Sequence, residues 1–229
     1  MSIPLDRPSI VVPVTNADTL SKVSAPRDQQ PWDIVEIRAD RIAGISNLSS
    51  EISLIPSPVL LTCRHPDEGG SNEFRDPKKR HALLAPLIPY AAGIDIEIAY
   101  AAQMLQTIKL ARASGLTLIL SAHDFSGTPG NKQLRSLVEN GFKNGADAIK
   151  LATTTETPDE VCRLFSLFGK FPDRPLALMG MGQLGMASRL LAAQSGSILN
   201  YAALDEAIAP GQWPVQEFRD LLQRTGIVS

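Results

Sequence analysis

The sequence predicts the α/β class and, within it, a single (β/α)8 TIM barrel. Three observations carry that prediction. Eight short apolar runs recur along the chain, helix-like segments lie between them, and 229 residues suit one large barrel with a substantial core. A doubly wound sheet needs fewer strands, about five to seven. No low-complexity stretch or composition break marks a linker, so residues 1–229 are expected to form one barrel domain.

The runs are 10–14, 34–37, 59–63, 94–98, 116–120, 148–152, 176–179 and 198–201. Each is short and rich in branched or bulky side chains, as in strands buried on both faces. The segments after the first two runs are short and weakly patterned, so an irregular start is expected. In 99–114, Leu105, Ile108 and Arg112 follow helical spacing, and Gly115 stands where a C-terminal glycine closes a helix. The stretches 131–142 and 158–168 also read as helices. Pro158 fits a first turn and Thr157 a cap.

Composition narrows the function. Apolar residues make up 44% and charged residues 20% of the chain, with a formal net charge of −2, so there is no basic footprint for nucleic acid or an anionic membrane. The two cysteines, Cys63 and Cys162, lie far apart and form no CxxC pair, which points to a reducing cytoplasm rather than a disulfide framework. The N-terminus lacks the layout of a signal peptide, and no apolar run is long enough to span a membrane. No HExxH, paired-cysteine or calcium-loop pattern occurs, so no metal and no cofactor are expected.

A barrel of this kind holds its chemistry at the C-terminal ends of its strands. The polar residues there are Glu36 and Arg38, Arg64 and Glu68, then Ser121, His123 and Asp124, with Lys150 on the sixth run and Gln212 after the eighth; Met179 and Met181 lie near the end of the seventh. Lys150 interrupts the apolar run 148–152. Burying an ammonium is costly, so it finds partners or gives up its proton, and a neutral lysine can condense with a ketone. Alone it reads most simply as a lysine snorkelling from a strand end. Its convergence with His123 at one barrel mouth turns the reading towards catalysis, with His123 as general acid and base.

The other motifs are weighed in the same way. Ser121, His123 and Asp124 evoke a hydrolase triad, but no GxSxG elbow occurs, and Asp124 is expected to brace its loop. Glu36 and Arg38, two apart on a strand, share a face and are expected to point inward, satisfy each other and offer a polar floor to a polyol. Arg64 and Glu68 share a loop that ends in Gly69-Gly70; either they bind oxygens and orient a histidine, or they form a surface ion pair. His65 is expected near the mouth without acting. His81, with Lys78, Lys79 and Arg80, reads as a solvated helix face. Gly180-Met181-Gly182-Gln183-Leu184-Gly185 is a literal GxGxxG, but only one run follows it, so it is expected to shape a turn rather than hold a dinucleotide. Arg189, in the next helix, is either a carboxylate clamp or a helix-surface arginine.

Taken together, Val35–Asp40, Thr62-Cys63-Arg64 with Glu68-Gly69-Gly70, Ser121–Phe125 with Thr128-Pro129, and Gly145–Ala152 form one ordered series. It continues with Met179-Gly180-Met181, Gly185, Ser188-Arg189 and Ala209-Pro210-Gly211-Gln212. The series resembles the type I 3-dehydroquinate dehydratase family, the Schiff-base enzymes of the shikimate pathway. The resemblance covers about residues 8 to 212.

The resemblance implies a lyase that converts 3-dehydroquinate to 3-dehydroshikimate. Lys150 would attack the C3 ketone, and His123 would take the C2 proton and protonate the departing C1 hydroxyl, held in orientation by Glu68. Nearby arginine and histidine charges would keep the amine reactive. Arg189 and Gln212 would grip the carboxylate region, Glu36, Arg38 and Arg64 the ring hydroxyls, and Met179 and Met181 an apolar wall. The implied partner is the small-molecule substrate, with no nucleic acid or membrane, in a cytoplasmic chain that forms homodimers. One departure stands out. Many members carry serine four residues before the final glutamine, where this chain has Ile208, at the expected loss of one hydrogen bond to substrate, worth about 1 kcal/mol. A non-catalytic barrel that binds a quinate-like ligand for regulation, and a Schiff-base aldolase acting on a phosphorylated sugar, are the alternatives.

Overall fold

The computed structural model describes residues 2–207 and 209–228. Its strands are β1 (Ser9–Val14), β2 (Ile34–Arg38), β3 (Val59–Thr62), β4 (Gly93–Glu97), β5 (Thr117–Asp124), β6 (Ala148–Thr154), β7 (Leu176–Met181) and β8 (Leu199–Tyr201). All pair in parallel in the order β7-β6-β5-β4-β3-β2-β1-β8. The ring closes between β7 and β8, where the Ile198 N–H donates to the Leu176 carbonyl at 3.0 Å and the Leu178 N–H to the Ser197 hydroxyl at 3.1 Å. The architecture is the (β/α)8 barrel expected from the eight apolar runs. Run 116–120 extends further, to Asp124, and carries His123 within the strand itself.

The helices are α1 (Ala17–Lys22), α2 (Ala39–Ile42), α3 (Leu48–Ser53), α4 (Pro77–Leu84), α5 (Leu105–Ala113), α6 (Asn131–Lys143), α7 (Pro158–Lys170), α8 (Gly185–Gln194) and α9 (Val215–Arg224). The short α1, α2 and α3 are the irregular start. Thr157 caps α7 in a reciprocal box with Glu160. Helix α5 begins later than the pattern in 99–114 predicts, because Ile98–Tyr100 forms a separate 3-10 turn. That turn holds Tyr100 against the His65 ring, with ring centroids 3.6 Å apart, and lets its hydroxyl donate to Asp67 at 2.6 Å.

Strand parity divides the core into two layers. Val12, Val35, Leu61, Ile94, Leu120, Ile149 and Leu178 face outward, against helix residues such as Leu134, Leu164 and Phe218. Val11, Ile34, Leu60, Ile119, Ala148, Ala177 and Leu199 face inward and fill the lower barrel. Ile3 plugs that end. A Cβ on Gly93 would stand 2.8 Å from the Ile3 Cγ1, so the close approach requires glycine. Two positions further along, the inward residues of β2 to β6 turn polar, with Glu36, Thr62, Asp95, Ser121 and Lys150, and β8 brings Tyr201.

Candidate active site

The polar upper layer follows from parity and register. Inward positions of β2, β4, β5 and β6 carry Glu36, Asp95, Glu97, Ser121 and Lys150, and register places Ser121 beside both Glu97 and Lys150. Lys150 is 3% exposed. Its Nζ lies 2.7 Å from Asp95 Oδ2, donates to the Tyr201 hydroxyl at 3.0 Å and stands 3.6 Å from Glu36 Oε1. It also lies 4.5 Å from the centre of the Tyr201 ring. The expectation of a cationic surround is therefore corrected. The amine contacts the Asp95 carboxylate and a phenol, with the Glu36 carboxylate close by, and Arg64 lies on the far side of Asp95.

Arg64 is the hub of this layer, and it is no surface loop residue. It is buried, with Nη1 at 2.9 Å from both Asp95 Oδ1 and Glu97 Oε1 and donating to the Ser121 hydroxyl at 2.7 Å. Burial weakens its charge, but Asp95 and Glu97 outweigh that and hold it well above the ordinary arginine value. For Asp95 too, burial favours the neutral acid, yet Arg64 and Lys150 win and keep the carboxyl well below the usual range. Behind them Arg80 pairs with Glu97 Oε2 at 2.5 Å and donates twice to the Cys63 carbonyl, at 3.0 and 2.7 Å. The solvated helix face expected for α4 thus holds for Lys78 and Lys79 only. Arg80 is 1% exposed, and His81 is half-buried with its ring nitrogen 3.0 Å from the Thr107 hydroxyl.

His123 and Glu68 form a second unit. Glu68 Oε2 lies 2.8 Å from His123 Nδ1 and accepts the His123 backbone N–H at 2.9 Å. With Glu68 ionised, Nδ1 carries the proton and Nε2 keeps a lone pair. Burial first, then the charges of Arg64 and Lys150, holds the imidazolium well below its ordinary value, so His123 is a neutral base. Burial also raises the Glu68 carboxyl to about 7, against the opposing pull of Arg64. As expected, Asp124 braces its loop, accepting from the Ser126 N–H and hydroxyl at 2.9 and 2.6 Å.

The opposite wall is built differently. Arg189 projects from α8, 2% exposed, and donates weakly to the Tyr201 carbonyl at 3.4 Å. Its Nε has no hydrogen-bond partner, and no described carboxylate pairs with it. Burial lowers its pKa to about 10. The GxGxxG stretch forms the turn into this helix. Gly185 and Gly211 interlock there, and a Cβ on Gly211 would stand 2.6 Å from Gly185 Cα. That contact seats Gln212, which is buried, beside the arginine's helix. Ile208 lies outside the described residues.

Arg38 is the remaining difference from expectation. It shares a strand face with Glu36, as parity requires, but its guanidinium clamps Asp40 with two bonds of 3.0 and 2.9 Å. Glu36 instead accepts from Thr62 at 2.8 Å and Tyr201 at 3.0 Å. Glu36 is buried among Thr62, Lys150 and Tyr201, whereas Arg38 ends β2 beside Asp40 in the first turn of α2.

These groups surround one cavity of about 370 Å³, within the range of small-molecule sites. Glu36, Arg38, Arg64, Glu68, His123, Lys150, Met179, Met181, Arg189 and Gln212 all line it, so the residues singled out in the sequence converge. Tyr201 lines it too and was not foreseen; nor were Asp95 and Glu97 beneath it. The alternation Ile94-Asp95-Ile96-Glu97-Ile98 carried the same inward signal as Glu36 and Arg38. Among the described residues no group of three or more His, Cys, Asp and Glu side chains is disposed to hold a metal ion.

Comparison with known proteins agrees with this geometry. A model described as type I 3-dehydroquinase matches residues 10–228. A 3-dehydroquinate dehydratase of Methanosarcina barkeri is 33% identical, with 96% of each chain covered. One of Latilactobacillus sakei is 34% identical over 83% of this chain and 82% of its own. The crystal structure of the 3-dehydroquinate dehydratase of Geobacillus kaustophilus matches with a TM-score of 0.86 and 25% identity, over 97% of this chain and 93% of that one. A type I 3-dehydroquinate dehydratase of Clostridium difficile, with covalently modified comenic acid, matches at 0.84 and 26%, over 96% and 92%.

Proposed function

The chain belongs to the type I 3-dehydroquinase family, and from that premise we propose a division of labour among its site residues. The reaction itself is the family's. The chain is a lyase that dehydrates 3-dehydroquinate to 3-dehydroshikimate through a lysine Schiff base, and its substrate is a small molecule of the shikimate pathway. Lys150 is the nucleophile. Its amine adds to the C3 ketone, water leaves, and the resulting iminium draws electrons from the neighbouring carbon. His123 Nε2 removes the C2 proton, and the same imidazole then protonates the C1 hydroxyl as it departs. Glu68 holds the ring in the tautomer that leaves Nε2 free.

Binding is divided by charge. Arg189, buried without an anionic partner among the described residues, receives the substrate carboxylate with the help of Gln212. Glu36, Arg38 and Arg64 meet the ring hydroxyls, and Met179 with Met181 excludes water from one ring face. The observation that carries the assignment is Lys150, buried in the cavity wall that His123 and Arg189 also line.

Borohydride reduction during turnover tests it. A stable adduct is expected on Lys150 by peptide mass spectrometry, and an intact mass without adduct, with no dehydroshikimate absorbance, overturns the assignment. His123→Ala should still trap imine while kcat falls about 10²- to 10⁴-fold, the usual worth of general acid–base catalysis; near-normal turnover removes His123 from its role.

One catalytic barrel, a cytoplasmic location, a homodimeric state and independence from nucleic acid belong to the same proposal. No described helix is long and apolar enough to cross a membrane. Light scattering that returns a monomer mass overturns the dimer, and two separate unfolding transitions overturn the single unit.

A further inference from the structure

Among the described residues, Tyr201 is the one lining the cavity that touches the reacting amine without a place in the scheme above. Its hydroxyl accepts from Lys150 Nζ at 3.0 Å and donates to Glu36 Oε1 at 3.0 Å. The direct path from Nζ to Glu36 is 3.6 Å, too long for a hydrogen bond, so the phenol bridges a gap that the two charged groups do not close themselves. Tyr201 is 5% exposed and its backbone is fixed in β8, which holds the bridge in place.

We infer that Tyr201 is a catalytic residue of imine formation, relaying the surplus proton of Lys150 to Glu36 so that the amine becomes nucleophilic. This deepens the proposed role of Lys150 and rests on it. The phenol oxygen takes a proton from the ammonium as its own O–H proton passes to the Glu36 carboxylate. The products are a neutral amine, an unchanged phenol and a protonated Glu36. The balance closes when the carbinolamine hydroxyl takes that proton back and leaves as water, and the iminium forms. No oxidant or other reactant is needed.

Asp95 is closer to the amine, at 2.7 Å, yet it is the poorer acceptor. Its other oxygen already holds Arg64 at 2.9 Å and the Ser121 hydroxyl at 2.6 Å, and protonation would weaken those charge-assisted bonds. Glu36 faces two hydroxyls and the lysine, with no arginine paired to it among the described residues. Asp95 therefore anchors the ammonium and Glu36 receives its proton. Burial, with Glu36 and Asp95 close by, holds the phenol well above its ordinary value, so it passes a proton on and does not stand as phenolate.

The groups facing the phenol are Lys150 from β6, Glu36 from β2 and Asp95 from β4, with Arg64 after β3 and Arg189 on α8 close by. Rapid-quench borohydride trapping as a function of pH tests the relay. Tyr201→Phe keeps the ring and removes only the hydroxyl. Its imine should form about 10²-fold more slowly than in the wild type, the low end of acid–base catalysis, with the pH profile of trapping displaced. Proton removal from the substrate, once imine has formed, should be unaltered. Glu36→Gln should slow trapping as well, and the double variant should be no slower than the worse single one. Trapping by Tyr201→Phe at the wild-type rate and pH profile, or additive effects in the double variant, overturns the relay alone. A wild type that never traps on Lys150 overturns the nucleophile and the relay with it.

Discussion

Two buried arginines face one cavity in opposite electrostatic states. Arg64 is held by Asp95, Glu97 and Ser121 at 2.7 to 2.9 Å, within a network that runs back to Arg80. Among the described residues, Arg189 has one long bond to a backbone carbonyl and an Nε with no partner. A buried charge must be paired or it costs several kcal/mol. The first arginine is stabilised inside the fold, whereas the second has no carboxylate partner among the described residues. The β2–β5 wall is thus a finished electrostatic structure around Lys150, and the α8 wall is an unfinished one that, in the proposed assignment, a substrate carboxylate completes.

Substitutions should break this comparison along the same line. Arg64→Met removes one partner from a buried network and is expected to cost about 3–5 kcal/mol in urea unfolding; a loss below 1 kcal/mol would mean the network contributes little. Arg189→Met should do the reverse. The unfolding midpoint stays level or rises, while kcat/KM falls by roughly 30-fold to 10³-fold, the cost of about 2–4 kcal/mol in a truncated charge pair. A stability loss matching that of Arg64→Met would erase the distinction.

The Glu68–His123 pair sharpens it by pH. Protonation of Glu68 as pH falls through about 7 turns its oxygen into a donor towards Nδ1, moves the imidazole proton to Nε2 and removes the base. Activity is expected to fall on the acid side of about 7, and Glu68→Gln should abolish that limb. The stability sign is opposite. Because the folded value is raised, the contribution of Glu68 is full below the unfolded value near 4.5 and is lost as pH rises through about 7. The smallest effect is a control outside both walls. Thr157→Ala breaks the α7 capping box and should cost about 1 kcal/mol with kcat unchanged.

Much of this site was legible before any coordinates. The inward parity of Glu36, the strand-end place of His123 and the intrusion of Lys150 into an apolar run are local signals, and each holds in three dimensions. Asp95 and Glu97 carried the same alternation but lay in a run read as apolar, although their parity alone marks them as inward. Tyr201 had no such mark. A tyrosine closing a strand is ordinary, and only barrel closure brings β8 across from β6. Arg80 misled for a related reason. Three of its neighbours on α4 are polar, and nothing local says which one turns under the barrel mouth.

Periodicity in the chain alone settled the eight strands, the face each side chain takes and the residue types available at the mouth, because a strand's two-residue repeat is a property of its own backbone. Which charges pair was decided only by the tertiary structure. Arg38 takes Asp40 and leaves Glu36 to Tyr201, Lys150 rests on Asp95, and Arg189 is left without an anion among the described residues. Apart from the local Arg38–Asp40 pair, those contacts turn on separations near 3 Å between residues tens of positions apart. Register and barrel closure set such distances, and Coulomb attraction at that range separates a satisfied charge from one left unpaired among the described residues.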